Sequence, residues 1–217
     1  RSMVMTEKEK QLTAYHEAGH ALVALNMPAT DPVHKATIIP RGRALGMVMQ
    51  LPEGDKMSMT REEMTSRLAV MMGGRIAEEL KFGREKVTSG AASDIQQATR
   101  LARAMIGRWG MSERLGPIDL RQSEEHPFLG REIAHPRAFS DATAHDVDRE
   151  VARLLREAEA RAGEVIAGHR HLVQGLVGAL ERDETLDRQA VTALLRPAAG
   201  GTVPAAASAG SAAAVAD

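Results

Sequence analysis

Two histidines four residues apart enclose a glutamate in the stretch Ala14-Tyr15-His16-Glu17-Ala18-Gly19-His20-Ala21-Leu22-Val23. On an α-helix, positions i and i+4 share a face one turn apart, so the imidazoles of His16 and His20 can converge on one Zn²⁺. Glu17 then stands beside them, placed to take a proton from a water activated by the ion. This is the chemistry of zinc-dependent hydrolysis. The competing reading is an amphipathic helix whose histidines are satisfied in the core. The surroundings favour the first. Leu12, Tyr15, Ala18, Gly19, Leu22, Val23 and Asn26 keep helical spacing, and no proline interrupts before Pro28. Gly19 costs about 1 kcal/mol relative to alanine inside a helix unless a close neighbour needs the space. A metal site packed against another backbone is such a neighbour.

Two histidines leave a catalytic zinc one protein ligand short, the third being His, Glu or Asp from another element with water at the open position. Glu78 and Glu79 in Gly73-Gly74-Arg75-Ile76-Ala77-Glu78-Glu79-Leu80 and Asp94 in Thr88-Ser89-Gly90-Ala91-Ala92-Ser93-Asp94-Ile95 are the candidates. Spacing does not choose among them. For Asp94 at the start of a helix, position alone favours an interaction with the helix dipole over a metal, and the glutamates are equally explained by a solvated helix face.

The elements that must position these residues can be read from periodicity. A helix is expected over about Thr6 to Asn26, with Thr6 and Glu9 in capping-box spacing. Ala36 to Ile39 and Gly46 to Leu51 read as two strands joined by a turn-rich connection, the β structure the pattern supports. A second helix starts near Thr60, again with a glutamate, Glu63, three residues on. Its apolar face runs through Met64, Leu68, Met71, Met72, Ile76 and Leu80, despite Gly73-Gly74 in the middle. From Ser140 the pattern is helical throughout: a long stripe from Val147 to Ile166, a second helix after Gly168, and a short one around Val191, Leu194 and Leu195. The expected fold is mainly α with a small β-hairpin or sheet, a helical domain carrying the zinc motif followed by a C-terminal helical bundle. Boundaries are expected at 1–5 (a cloning remnant or linker), 6–135 (core), 136–196 (bundle of the same module) and 197–217, an Ala/Gly/Ser-rich tail without periodicity that reads as disordered.

Composition sets outer limits. The 217 residues are 43% hydrophobic and 26% charged with a net charge of −1, enough for a real core and without the basic footprint of a nucleic-acid binder. With no cysteine, disulfides and thiolate ligands are excluded and a metal must be held by His and carboxylate. No apolar run reaches the length of a membrane span, so the chain as it stands is expected to be soluble. His34 reads as structural, and His126, His135, His145, His169 and His171 as surface residues without metal spacing.

The runs Tyr15 to Val23, Asp31 to Gly46, Gly73 to Leu80, Thr88 to Thr99, Trp109 to Pro117 and Phe128 to Arg131, taken in order, resemble the peptidase domain of the FtsH family of membrane-bound, ATP-dependent zinc proteases, over about Thr6 to Arg196. The resemblance implies that the aspartate of a T-[ST]-G-A-x-x-D segment, here Asp94, is the third zinc ligand, and that Glu78 and Glu79 are supporting residues. Ala92-Ser93 stands where the family commonly has Ser-Asn. The function implied is a zinc endopeptidase acting on unfolded or membrane-delivered polypeptides, with Glu17 as general base and one Zn²⁺ per chain. Gly46, Met47, Val48 and Met49 offer a strand edge on which an extended substrate could pair. Hexameric rings, an N-terminal AAA+ ATPase with transmembrane segments, and a place at the cytoplasmic face of a bacterial inner membrane or its organelle equivalent are further implications. No G-x-x-x-x-G-K-[ST] phosphate loop occurs in this chain, so ATP would act only through a module outside it. The contrary expectation is a non-catalytic helical assembly or adaptor domain that keeps the protease fold.

Overall fold

A computed structural model describes residues 5–40, 45–52, 54, 57–120 and 139–195. The sequence readings for residues 1–4, 41–44, His126, His135, Phe128 to Arg131 and the 197–217 tail lie outside these.

Helix α1 (Glu7–Asn26) and helix α2 (Arg61–Phe82) form the centre. Each begins as expected with a reciprocal capping box, Thr6 with Glu9 and Thr60 with Glu63, which satisfies two of the backbone N–H groups that a helix start leaves unpaired. The two helices cross antiparallel, with His20 against Val70 and Tyr15 edge-on to Phe82. Their backbones touch at Gly19 and Gly73. A Cβ on Gly73 would lie 2.8 Å from the carbonyl oxygen of Gly19, and one on Gly19 would run into Gly73 and Ala77. The glycines that weaken each helix in isolation are therefore what lets the pair close. This contact buries Ala69, Val70 and Ala77, whereas Leu80, expected on the apolar face, is 44% exposed.

Strands β1 (Val33–Thr37) and β2 (Met47–Gln50) pair antiparallel, with Ala36 opposite Val48 and Thr37 opposite Met47. β1 begins three residues earlier than its β-branched run suggests, and leaves Ile39, 45% exposed, outside the ladder. A third strand, β3 (Thr185–Asp187), was not foreseen and pairs with the other edge of β1, giving the order β2-β1-β3. Three residues carry no periodicity to read. What makes the strand is Glu184, whose left-handed backbone (φ 59°) turns the chain sharply at the end of the preceding helix. Its carbonyl then accepts from Ile38 N–H at 2.9 Å and from the Thr37 hydroxyl at 3.1 Å.

Helix α3 (Ala92–Gly107) is entered through two short 3-10 turns at Arg84–Lys86 and Ser89–Ala91. Helices α4 (Asp141–Gly168), α5 (Arg170–Asp183) and α6 (Arg188–Leu195) follow, α4 lying on α2 and α3 and α5 on α1. One hydrophobic core joins all six helices, with Leu22, Leu68, Met105, Ile106, Leu176 and Leu180 fully buried, each worth about 1.5–3 kcal/mol relative to an exposed side chain. The chain is thus mainly α with a small antiparallel sheet. No helix among the described residues is long and apolar enough to cross a membrane.

The loop after α3 is tied to α4 by charge. Glu150, buried, accepts from Ser112 Oγ at 2.7 Å and from Arg153 Nε and Nη2 at 2.9 and 3.0 Å. The Arg153 guanidinium, helped by Ser112, outweighs burial and holds this carboxyl below its ordinary 4.5. A depressed carboxyl stabilises the fold above that value and loses its contribution as pH falls through the folded pKa. Glu150→Gln is accordingly expected to cost about 1–2 kcal/mol at pH 7, discounted for the half-exposed arginine, and less at pH 3. Thermal melts of both proteins at the two pH values measure this, and an equal loss at both would contradict it.

Candidate metal centre

The centre is built where the close α1–α2 crossing meets the start of α3. His16 and His20 sit one turn apart on α1 with their rings edge to face, 4.7 Å between centroids. Asp94, in the first turn of α3, reaches across to both. His16 Nε2 lies 3.1 Å from His20 Nε2 and 3.2 Å from Asp94 Oδ2, and His20 Nε2 lies 3.3 Å from the same oxygen. Bonds of about 2.0–2.1 Å in a tetrahedral site hold ligand atoms about 3.3–3.4 Å apart. The triangle therefore has the dimensions of one face of a tetrahedral zinc site.

The far side of each ring decides what faces the triangle. His20 Nδ1 is 2.7 Å from the Val70 carbonyl oxygen, which can only accept, so Nδ1 carries the proton and donates. His16 Nδ1 likewise donates to Glu78 Oε1 at 2.7 Å. Both Nε2 lone pairs are thereby directed at Asp94 Oδ2, and three acceptors converging at this distance call for a cation or protons between them. Burial opposes a charged His16 ring, yet its hydrogen bonds to Asp94 and Glu78 and the nearby Glu17 charge raise its pKa to about 10. Asp94, despite burial, is held far below the usual carboxylate range by the two histidines. A divalent ion would compete for the same positions as these protons.

Glycine makes room for the centre twice. A Cβ on Gly74 of α2 would lie 2.5 Å from His16 Nε2 and 2.6 Å from His20 Nε2, inside the space the two rings use. A Cβ on Gly46, just before β2, would lie 2.6 Å from Glu17 Oε1. Glu17 is buried between α1 and β2, 5% exposed, and burial raises its pKa, the His20 and His16 charges only partly offsetting this. Asp94, about a quarter exposed, leaves the centre open on one side.

Of the two glutamates weighed as alternatives, Glu78 is fully buried and contacts the far nitrogen of His16, not the triangle, while its Oε2 accepts from Thr88 N–H and O–H at 2.9 and 3.0 Å. Burial opposes its charge, but the His16 and Thr88 hydrogen bonds keep its pKa low. Glu79 is turned away and pairs with Arg84 at 3.2 Å. His34, His145 and His171 are exposed, and His169 donates from Nδ1 to the Val165 carbonyl at the end of α4. Sequence reasoning did not find Val70, Gly74 or Thr88 as parts of the centre, and it named Gly46 as a strand edge for substrate without its contact to Glu17. The signal for Gly74 was there, two adjacent glycines inside a helix. Val70 acts through its carbonyl, which no side-chain pattern records.

The sequence pattern of Peptidase family M41 matches residues 3–194. The chain is 53% identical over 196 residues to the ATP-dependent zinc metalloprotease FtsH of Caulobacter vibrioides, covering 90% of this chain and 31% of that protein. It is 45% identical over 195 residues to the protein of the same name from Haemophilus influenzae, covering 90% and 31%. A Rickettsia bellii counterpart is 48% identical over 195 residues, covering 90% and 30%. The chain spans less than a third of the length of these relatives. A match over nearly its whole length, together with two histidines, a glutamate and an aspartate in this arrangement, places the chain in peptidase family M41.

Proposed function

We propose that this chain is the peptidase module of an FtsH-like ATP-dependent protease, a zinc endopeptidase in which His16, His20 and Asp94 hold the ion and Glu17 is the general base. The observation that carries the reading is the triangle of His16 Nε2, His20 Nε2 and Asp94 Oδ2, with edges of 3.1–3.3 Å and an open side. When bound, Zn²⁺ supplies Lewis acidity, activating water near neutral pH and polarising an amide carbonyl.

The chain's own residues supply the rest. Val70 and Glu78 fix the tautomers and turns of the two rings. Glu17, adjacent to both and raised in pKa by burial, takes the proton of the attacking water at a carboxylate oxygen and returns it to the leaving amine. β2, on the outside of the sheet, runs from Gly46 beside Glu17, so an extended polypeptide adding to Met47, Val48 and Met49 would carry its backbone past the base. Main-chain pairing of this kind suits substrates of varied sequence. Unfolded or membrane-delivered polypeptides, a homo-hexameric ring, an AAA+ ATPase with membrane segments elsewhere in the longer protein, and a position at the cytoplasmic face of a bacterial inner membrane or its organelle equivalent complete the reading. These are supported by the family resemblance and by the relatives' name.

The purified chain is expected to carry about one zinc and to cleave an unfolded protein such as casein, with cleavage abolished by chelator and restored by Zn²⁺. Elemental analysis and a casein assay test this. A folded chain that takes up no metal from added Zn²⁺ would instead favour the adaptor.

A further inference from the structure

Glu78 uses its two oxygens for two different elements. Oε1 accepts from His16 Nδ1 at 2.7 Å, and Oε2 accepts from the backbone N–H and the hydroxyl of Thr88 at 2.9 and 3.0 Å. Thr88 opens the 3-10 turn that leads into α3, and its Oγ1 also accepts from Gly90 N–H at 3.2 Å. The rest of the stretch from Gly83 to Gly90 is held to α2 by the Arg84–Glu79 pair at 3.2 Å and to itself by turn hydrogen bonds, Lys86 N–H to Gly83 at 3.0 Å and Val87 N–H to Arg84 at 3.4 Å. All of its residues are exposed or half-buried, and the first buried anchor is Ala91. Glu78 is thus the buried carboxylate on which the Thr88 end of the segment that delivers Asp94 docks, and it also orients the ring of His16.

We propose that Thr88 is a positioning residue that acts through Glu78, latching the Asp94-bearing segment to the His16 ring so that both ligands are presented to the metal together. The proposal rests on the zinc reading above. Its chemical core is the need for a carboxylate at position 78. Two acceptor oxygens serve His16 Nδ1–H on one side and the Thr88 donors on the other. Glutamine has one acceptor and one donor end. Turned to satisfy Thr88, it sets its NH₂ against His16 Nδ1–H, and turned to satisfy His16 it releases Thr88. Loss of either end of the latch should therefore reach the same ligand pair.

The test measures metal directly. Zn²⁺ affinity is determined by chelator competition, and coordination by the d–d absorption of the Co²⁺-substituted chain, for the parent, Thr88→Val, Thr88→Ala, Thr88→Ser, Glu78→Gln and the Thr88→Val/Glu78→Gln pair, each checked for folding by circular dichroism. Loss of the hydroxyl in Thr88→Val or Thr88→Ala is expected to weaken zinc binding about 10–100-fold and to alter the Co²⁺ spectrum, while Thr88→Ser stays near the parent. The double variant is expected to bind no more weakly than Glu78→Gln alone, because both changes open one latch. A residue that merely shapes its own turn would give losses that multiply. Multiplying losses, or a folded Thr88→Val or Thr88→Ala variant with parental affinity, overturns the latch and leaves the zinc reading standing. A parent chain that binds no zinc overturns both.

Discussion

Glu17→Gln is expected to reduce peptide-bond hydrolysis by about 10²–10⁴-fold while zinc content stays at that of the parent, because the amide keeps the size of the side chain and removes only the base. The geometry makes this a clean separation. Glu17 is not part of the ligand triangle, and its carboxylate lies against Gly46, where a neutral group of the same shape fits without displacing β2. Burial is the main reason its pKa is raised, so the substitution also removes a buried charge. Stability should therefore hold or rise slightly, and a melt that falls by several degrees would point to a structural role. Casein turnover and elemental analysis on one preparation give both readings, and near-parental turnover would remove Glu17 from the mechanism.

Asp94→Ala is expected to abolish zinc retention and activity together, since two histidines and solvent make an under-ligated site. Asp94 is also the group that most directly balances the paired histidines, lying 3.2 and 3.3 Å from their Nε2 atoms. Without it, the two Nε2 atoms, 3.1 Å apart, lose the carboxylate that both of them face. Glu79→Gln provides the control, because Glu79 pairs with Arg84 and does not touch either ring. Should zinc titration find the Asp94 variant as tight as the parent and the Glu79 variant empty, the triangle is not the metal site, and Asp94 serves only the dipole of α3.

How much of this could be read in the chain depends on the range of the forces involved. The spacing of His16, Glu17 and His20 was legible because a helix converts i, i+4 into neighbours by local geometry alone, and the same holds for the capping boxes at Thr6 and Thr60. The long stripes of α4 and α5 were legible because burial of one face imposes a 3.6-residue period. Gly19 announced a close neighbour without naming it. That the neighbour is Gly73, and that Gly74 leaves room for both imidazoles, depends on how two helices cross, which no local pattern encodes. The choice among Asp94, Glu78 and Glu79 was likewise open to spacing, since all three lie more than fifty residues from the histidines; resemblance to a family pointed to Asp94, and the tertiary structure placed it beside them. Glu78 against Glu79 came down to a one-residue step around α2, about 100° of rotation, which buries one carboxylate under His16 and leaves the other on Arg84. β3 escaped the sequence because three residues have no period. It exists because the Glu184 carbonyl is held by Thr37 and Ile38, nearly 150 residues away. Local spacing determined which chemistry this chain could carry. Long-range packing decided which carboxylate completes the triangle, which one lies behind His16, and where the strand edge lies beside Glu17.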